Sequence, residues 1–163
     1  MNNKRDISTL DEIIDALKNN TDNAESILDR VNLNVCAYHS LSDWDNDQHV
    51  RKSIYKCDEF ELALLFWNPG IVSAIHDHNG ESGYIYVIDG SLKEDVYELK
   101  NDSLIKTKTH VLNKGKWSRI SGNKGIHQVS SLVQKTISLN IYVQSFNSIY
   151  VYDDKANKEL EYV

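Results

Sequence analysis

The chain has 163 residues, 40% of them apolar, and a net charge of −6, which is enough for one domain with a sizeable core. It has no basic stripe interleaved with aromatic residues, and its longest apolar runs are far too short to cross a bilayer. We therefore expect no nucleic-acid partner and no membrane partner. After Met1 the N-terminus turns polar and acidic instead of apolar, so it does not resemble a secretory signal. Two cysteines make no disulfide framework, so a cytoplasmic location is expected.

The first predicted element is helical and covers about residues 8–31. Apolar residues recur at helical spacing from Leu10 to Leu17, and polar residues from Asn19 to Asp22 interrupt them. The same spacing then resumes from Ala24 to Val31. We expect both apolar stripes to pack against the rest of the protein.

From about residue 50 onward, short β-branched and aromatic runs alternate with turn signals, as in an all-β domain. Asp89-Gly90 predicts a tight hairpin, and Asn113-Lys114-Gly115 and Ser121-Gly122-Asn123 predict further turns. No linker or internal repeat is visible, so we predict one domain over residues 1–163, with its β part at about 48–153. The predicted strands lie near 51–56, 60–67, 72–77, 83–88, 91–98, 104–111, 117–120, 126–131, 135–143 and 148–153.

The stretch His76-Asp77-His78 is the strongest chemical signal in the sequence. Two histidines at i and i+2 on a strand point to the same face, so both imidazoles can converge on one point. A third histidine, His127, follows about fifty residues later. Three protein ligands with open positions are typical of a catalytic metal, and three neutral imidazoles suit iron(II), zinc, copper or nickel. The alternative is a pair of loop histidines that bind nothing.

The residues around these histidines resemble the first sequence motif of the cupins, a double-stranded β-helix related to jelly rolls. Gly70 lies six residues before His76, and Gly90 follows His78 after eleven residues. The motif's glutamate is replaced here, since Ser82 or Gly83 holds its position.

The second cupin motif is matched loosely by the stretch from Gly122 to His127. The resemblance implies an all-β cupin fold, a jelly-roll-like barrel behind a short N-terminal helical segment. Glu81 is retained as a further candidate for contact with the metal.

A cupin with two histidines, no carboxylate and a later histidine resembles the cysteine dioxygenase family of thiol dioxygenases. Arg51 stands where this family has an arginine for the substrate carboxylate, and Trp67 stands where it also has a tryptophan. The stretch from Gly90 to Glu94 matches the family's Gly-x-Leu-Lys-Glu, and Ser138 to Tyr142 lies where the family has Ser-x-His-x-Tyr. The match covers roughly residues 48–153.

The resemblance implies a reaction and a set of roles. His76, His78 and His127 would bind iron(II), and Arg51 would bind the carboxylate of a small thiol. Tyr142 would donate a hydrogen bond to dioxygen or to the substrate, with Asn140 holding it. The expected reaction adds both atoms of O2 to the thiol sulfur, with conversion of L-cysteine to its sulfinic acid as the leading case. The partners would be a small-molecule thiol and O2, and the sequence makes no prediction of oligomeric state.

Two departures from the family leave alternatives open. Gly83 stands where animal members have a cysteine crosslinked to the active-site tyrosine, so this chain cannot form that crosslink. Asn140 replaces the family histidine, and asparagine cannot carry a positive charge. Asn140 could still hold Tyr142, or it could mark a different substrate. A cupin acting on another small acid and a sensing cupin without turnover therefore remain as alternatives.

Overall fold

Two antiparallel sheets form the body of the protein, and short helices precede them. The computed structural model describes residues 6–41, 44–79, 82–120, 125–132, 134–144, 148–153 and 155–162. The helical part comprises α1 (Leu10–Asn19), a 3-10 turn (Thr21–Asn23), α2 (Ala24–Leu28) and α3 (Cys36–His39). Among the described residues, no helix combines the length and apolar character that crossing a membrane requires.

Eleven strands are present in the described parts of the chain. They are β1 (Val50–Lys56), β2 (Phe60–Trp67), β3 (Ile75–Asp77), β4 (Ser82–Asp89), β5 (Ser91–Lys100), β6 (Ser103–Asn113), β7 (Trp117–Ile120), β8 (Ile126–Ser131), β9 (Thr136–Val143), β10 (Ser148–Tyr152) and β11 (Lys158–Tyr162). The first sheet has the order β1-β2-β9-β4-β7, and the second has the order β11-β10-β3-β8-β5-β6. This arrangement confirms the predicted all-β architecture behind a helical segment.

The predicted elements differ from the structure at several places. The strand predicted at 72–77 begins at Ile75, because Val72 makes only an isolated bridge with Ser130. The helical region predicted at 8–31 is divided by the 3-10 turn. β11 lies beyond residue 153 and was not predicted, since its charged sequence at a sheet edge lacks an apolar run. The predicted turn Ser121-Gly122-Asn123 lies outside the described residues.

The central strands of the first sheet, β2, β4 and β9, are buried on both faces, and β2 is buried along its whole length. Residues 60, 62, 64 and 66 of β2 pack with the helices, and residues 63, 65 and 67 pack between the sheets. The same alternation along β9 turns Leu139 outward to the helices and Tyr142 inward. Polar side chains at inward positions of this sheet therefore face the space between the two sheets.

Hydrogen bonds fix the helical segment to the first sheet. The hydroxyl of Tyr86 on β4 donates to the carbonyl of Val31 at 3.0 Å, and the indole of Trp117 on β7 donates to Asp29 at 2.9 Å. Glu25 and Arg119 add an exposed ion pair of 3.1 Å. The apolar stripes predicted from the sequence are thus the surface that covers the outside of this sheet.

The connection from β4 to β5 turns at Gly90, whose backbone has φ +85°. The hairpin predicted at Asp89-Gly90 is wrong, because β4 pairs with β7 and β9 while β5 lies in the other sheet and pairs with β6 and β8. The turn at Gly90 therefore carries the chain from one sheet to the other. A side chain there would have two costs. Residues other than glycine are strained at positive φ, and a Cβ would lie 2.8 Å from the carbonyl oxygen of Lys135 and would overlap the hydroxyl of Thr136. Thr136 also accepts a hydrogen bond from the amide of Ser91 at 3.0 Å, so it has little room to move.

We expect Gly90→Ala to lower the free energy of unfolding by about 2 kcal/mol or more, because it combines backbone strain with a backbone clash. Gly115→Ala is the matched control. Gly115 has φ +76°, and a Cβ added there would meet no atom within 4 Å, so strain alone should cost about 1 kcal/mol. Urea denaturation of both variants measures the difference, and equal losses would contradict the clash at Gly90.

Candidate active site

Three imidazoles converge between the two sheets. His76 on β3 and His127 on β8 are directly opposite each other in the strand pairing, and His78 lies two residues further on the same face as His76. The Nε2 atom of His76 lies 3.3 Å from Nε2 of His78 and 3.2 Å from Nε2 of His127. One nitrogen from each ring lies within 4.8 Å of the other two. The i, i+2 spacing and the strand register together produce this cluster.

Two of the imidazoles have a fixed orientation. The Nδ1 of His76 donates to the carbonyl of Ala74 at 2.9 Å, and the Nδ1 of His127 donates to the carboxylate of Glu94 at 2.9 Å. Each bond leaves the Nε2 lone pair directed toward the common point. Glu94 lies on β5 and is fully buried, and this burial raises its pKa.

The cluster has the chemistry of a metal site. Burial lowers the pKa of all three imidazoles, and for His78 and His127 the pKa lies well below its usual value. The rings are therefore neutral near pH 7, which is the form that binds a metal. Three neutral nitrogens at these separations could hold one divalent transition metal, and the hydrogen bonds to Ala74 and Glu94 would keep two of the rings in place.

Gly83 on β4 allows the imidazole of His78 to approach the sheet. A Cβ at this position would lie 2.7 Å from both Cε1 and Nδ1 of His78, and 3.6 Å from the ring of Tyr142. The first two distances are shorter than any ordinary contact. Position 83 is also opposite Tyr142 in the β4–β9 pairing. A side chain at 83 therefore competes with His78 for the same space.

A chain of hydrogen bonds runs from Trp67 to Tyr142 along the inward face of β2 and β9. The indole of Trp67 donates to Ser138 at 3.1 Å, Ser138 donates to the amide oxygen of Asn140 at 2.9 Å, and the amide nitrogen of Asn140 donates to the phenol oxygen of Tyr142 at 3.3 Å. Because an indole N–H can only donate, it fixes which group donates and which accepts in each hydrogen bond of this series. The phenol hydrogen of Tyr142 is consequently not used in the bond to Asn140.

Burial raises the pKa of Tyr142, so its phenol keeps its proton near pH 7. The Tyr142 ring contacts His78, with ring centres 5.4 Å apart and planes nearly perpendicular. It also faces the guanidinium of Arg51, which lies 5.6 Å from the ring centre. Tyr142 thus lies between the histidine cluster and Arg51 as a neutral hydrogen-bond donor.

Arg51 on β1 has a carboxylate partner that the sequence did not predict. Its Nη2 lies 2.7 Å from Oε1 of Glu61, an inward residue of β2 that is 1% exposed. A lone acidic residue in the otherwise apolar run Phe60–Trp67 was the available signal, because a carboxylate in such a strand requires a partner.

A cavity of about 420 Å³ brings the predicted site residues together. All six of them line it: Arg51, His76, His78, His127, Asn140 and Tyr142. Its walls include the apolar side chains of Leu65, Ile85 and Val129, so it suits a small molecule with a short apolar stem. Glu81, the further candidate for metal contact, lies outside the residues that the structure describes.

Three more residues at this site were not assigned a role from the sequence. His49 lines the cavity and stacks on Trp67, with ring centres 4.4 Å apart, and burial lowers its pKa to about 4. Glu94 ends the Gly-x-Leu-Lys-Glu stretch, but its hydrogen bond to His127 depends on the pairing of β5 with β8. Glu161 on β11 also lines the cavity, and it was missed together with its strand.

Comparison with known protein families gives one clear match. The model of the family described as cysteine dioxygenase type I matches residues 4–155. Cysteine dioxygenase type 1 of Rattus norvegicus is 23% identical over 155 residues, covering 91% of this chain and 78% of the relative. The protein of the same name from Bos taurus is 22% identical over 142 residues, covering 83% of this chain and 71% of the relative.

Solved structures show the same fold at low sequence identity. A protein with a double-stranded β-helix domain from Klebsiella pneumoniae superposes with a TM-score of 0.55 at 14% identity, covering 75% of this chain and 91% of that one. A cupin superfamily protein from Desulfitobacterium hafniense gives a TM-score of 0.53 at 11% identity, covering 65% and 86%. These neighbours confirm the predicted cupin fold.

We expect Gly83→Ala to weaken the binding of a divalent metal, because the added methyl displaces the His78 imidazole. Loss of an orienting contact at a metal site typically lowers affinity about 10–100-fold, and displacement of a ring should cost at least as much. Ser82→Ala, at the neighbouring position, is the control. Equilibrium dialysis against cobalt(II) and circular dichroism of the apo proteins would separate metal loss from misfolding. Wild-type affinity in Gly83→Ala would show that His78 does not need this space.

Proposed function

Because this chain belongs to the cysteine dioxygenase type I family and is a thiol dioxygenase of that kind, we propose that it oxidises a small carboxylate-bearing thiol, foremost L-cysteine, to its sulfinic acid. Both oxygen atoms would come from O2, and iron(II) would be the metal. The observation that carries the proposal is the cluster of three neutral imidazoles in a cavity that also contains an arginine and a protonated tyrosine. A cytoplasmic location, where thiols stay reduced, is part of the same proposal.

In this proposal His76, His78 and His127 hold the iron. When bound, iron(II) supplies the redox chemistry and favours the thiolate form of an incoming thiol. Neutral imidazoles support this because they add no negative charge that would repel a thiolate. The bond from His127 to Glu94 keeps one ring in place during turnover.

Arg51 would bind the far end of the substrate. Arg51 lines the same cavity as the imidazoles, and a guanidinium binds a carboxylate with parallel, charge-assisted hydrogen bonds. The distance between a sulfur at the imidazoles and an oxygen at Arg51 would then be fixed by the short stem of the thiol. Such fixed placement of the reacting groups is the main contribution that the protein makes.

Tyr142 would donate its phenol hydrogen into the space between the imidazoles and Arg51. Asn140 supports this role, because its amide nitrogen donates a hydrogen bond to the phenol oxygen and leaves the phenol hydrogen available. Asn140 performs here the orienting task that the family assigns to a histidine, without the option of a positive charge.

The test of the proposal is oxygen uptake by the iron-loaded protein. Protein purified without oxygen and loaded with iron(II) should consume O2 on addition of L-cysteine, and mass spectrometry should find the sulfinic acid with two ¹⁸O atoms when ¹⁸O₂ is supplied. Cobalt-loaded protein is the control for the metal. Thiol binding without oxygen consumption would instead indicate a sensing cupin.

We expect Tyr142→Phe to lower kcat by about 10²–10⁴-fold while iron stays bound, since the phenol acts as a donor and is not a metal ligand. Tyr86→Phe removes a buried hydroxyl from the outward face of the same sheet and should leave turnover unchanged. Oxygen-electrode kinetics and iron content of both variants provide the measurement. Full activity in Tyr142→Phe would remove the proposed role.

A further inference from the structure

Glu61 occupies an unusual place for a carboxylate. It lies on β2 between apolar neighbours, points between the sheets and is 1% exposed. Its Oε1 lies 2.7 Å from Nη2 of Arg51, and its Oε2 lies 3.7 Å from Nζ of Lys56, whose side chain is 43% exposed. The guanidinium of Arg51 is therefore the close partner of this carboxylate, and Lys56 is a distant one.

A buried carboxylate requires a partner because its desolvation is costly, and the cost is greatest when the opposite charge is removed. Glu61 thus holds Arg51 in one position from behind the cavity wall. The guanidinium has five N–H donors, so the face that lines the cavity can still bind an oxygen of a ligand. Its positive charge, however, is already matched inside the protein before any ligand enters.

Among the described residues that line the cavity, none besides Arg51 is a lysine or an arginine. Lys56 lies outside this lining, and its ammonium is exposed enough for solvent to screen its charge. His49 has its pKa lowered to about 4 and is neutral near pH 7. Glu161 at the cavity lining is acidic, and Glu94 behind His127 is a further carboxylic residue. Away from the imidazole cluster, the described cavity lining therefore offers donors without a net positive charge.

We propose that Glu61 determines the substrate specificity of this site by neutralising Arg51, so that the far end of the thiol is recognised through hydrogen bonds to an oxygen more than through its charge. The proposal rests on the proposed thiol dioxygenase function. It extends the substrate class from carboxylate thiols to thiols whose far end is an uncharged oxygen acceptor, such as an amide. Glu61 acts through Arg51 and is a positioning residue, since it does not line the cavity itself.

The test compares two thiols of the same shape and different charge, 3-mercaptopropionate and 3-mercaptopropionamide. Their dissociation constants are measured by calorimetry on iron-loaded protein without oxygen, and their turnover is measured separately in the oxygen electrode. In the wild-type protein, we expect the carboxylate to bind less than about 10-fold more tightly than the amide. A preference above about 100-fold would overturn the proposal whether or not any variant folds.

Glu61→Gln removes the charge and keeps an amide oxygen that can accept from Arg51. We expect this variant to raise the preference for the carboxylate by about 10-fold or more, because the guanidinium charge is then available to the ligand. The change should appear in the dissociation constants and in KM, with kcat nearly unchanged. Glu25→Gln is the control, since it breaks an exposed Glu–Arg pair outside the cavity and should not alter the preference.

The outcomes separate this inference from the proposed function. An unchanged or smaller carboxylate preference in Glu61→Gln would show that Glu61 holds Arg51 without setting its charge, which overturns the inference. A shifted preference without oxygen consumption would keep the inference and reject the dioxygenase. Absence of binding for both thiols in the wild-type protein would reject both.

Discussion

The central strands β2, β4 and β9 of the first sheet have neither face in water, and the rest of the site follows from this constraint. Because the helices cover the outer face of this sheet, each inward side chain can be satisfied only by groups between the two sheets. The inward polar side chains of β2 and β9 accordingly form hydrogen bonds with one another or with neighbouring strands. Trp67, Ser138, Asn140 and Tyr142 form one hydrogen-bonded chain, and Glu61 reaches across to Arg51 on β1. Such networks are rigid when every member is satisfied, and rigidity is what a site for a small substrate needs.

The second sheet contributes the other half of the site by a different route. Its pairing of β3 with β8 sets His76 against His127, and the pairing of β8 with β5 brings Glu94 behind His127. One sheet therefore supplies the imidazoles and the other supplies the donors that would contact a substrate. Residues of both sheets line the cavity between them.

Much of this arrangement could be predicted from the sequence. The alternation of short apolar runs and turns indicated ten strands near their observed places, and His76 and His78 were paired by their spacing alone. Arg51, Asn140 and Tyr142 were selected by their place in a family pattern, and the structure places all three at the cavity. The predicted roles of these residues remain predictions.

The remaining features depend on strand register, which a single sequence does not specify. The contact of Glu61 with Arg51 joins two strands, and the stacking of His49 on Trp67 likewise joins distant parts of the chain. Neither pair has a characteristic spacing along the chain. The edge strand β11 was missed because exposed edges carry charged residues in place of an apolar pattern, and Glu161 was missed with it.

Gly83 finally bears on the evolutionary history open to this site. A single substitution to cysteine would introduce the sulfur needed for a link to the neighbouring tyrosine, yet the same Cβ would lie 2.7 Å from the His78 ring. The chain therefore cannot reach a crosslinked site by one mutation without disturbing an imidazole. The substitution would require β4 or the segment carrying His78 to shift. Crosslinked and uncrosslinked sites thus differ in the position of an imidazole as well as in the identity of residue 83.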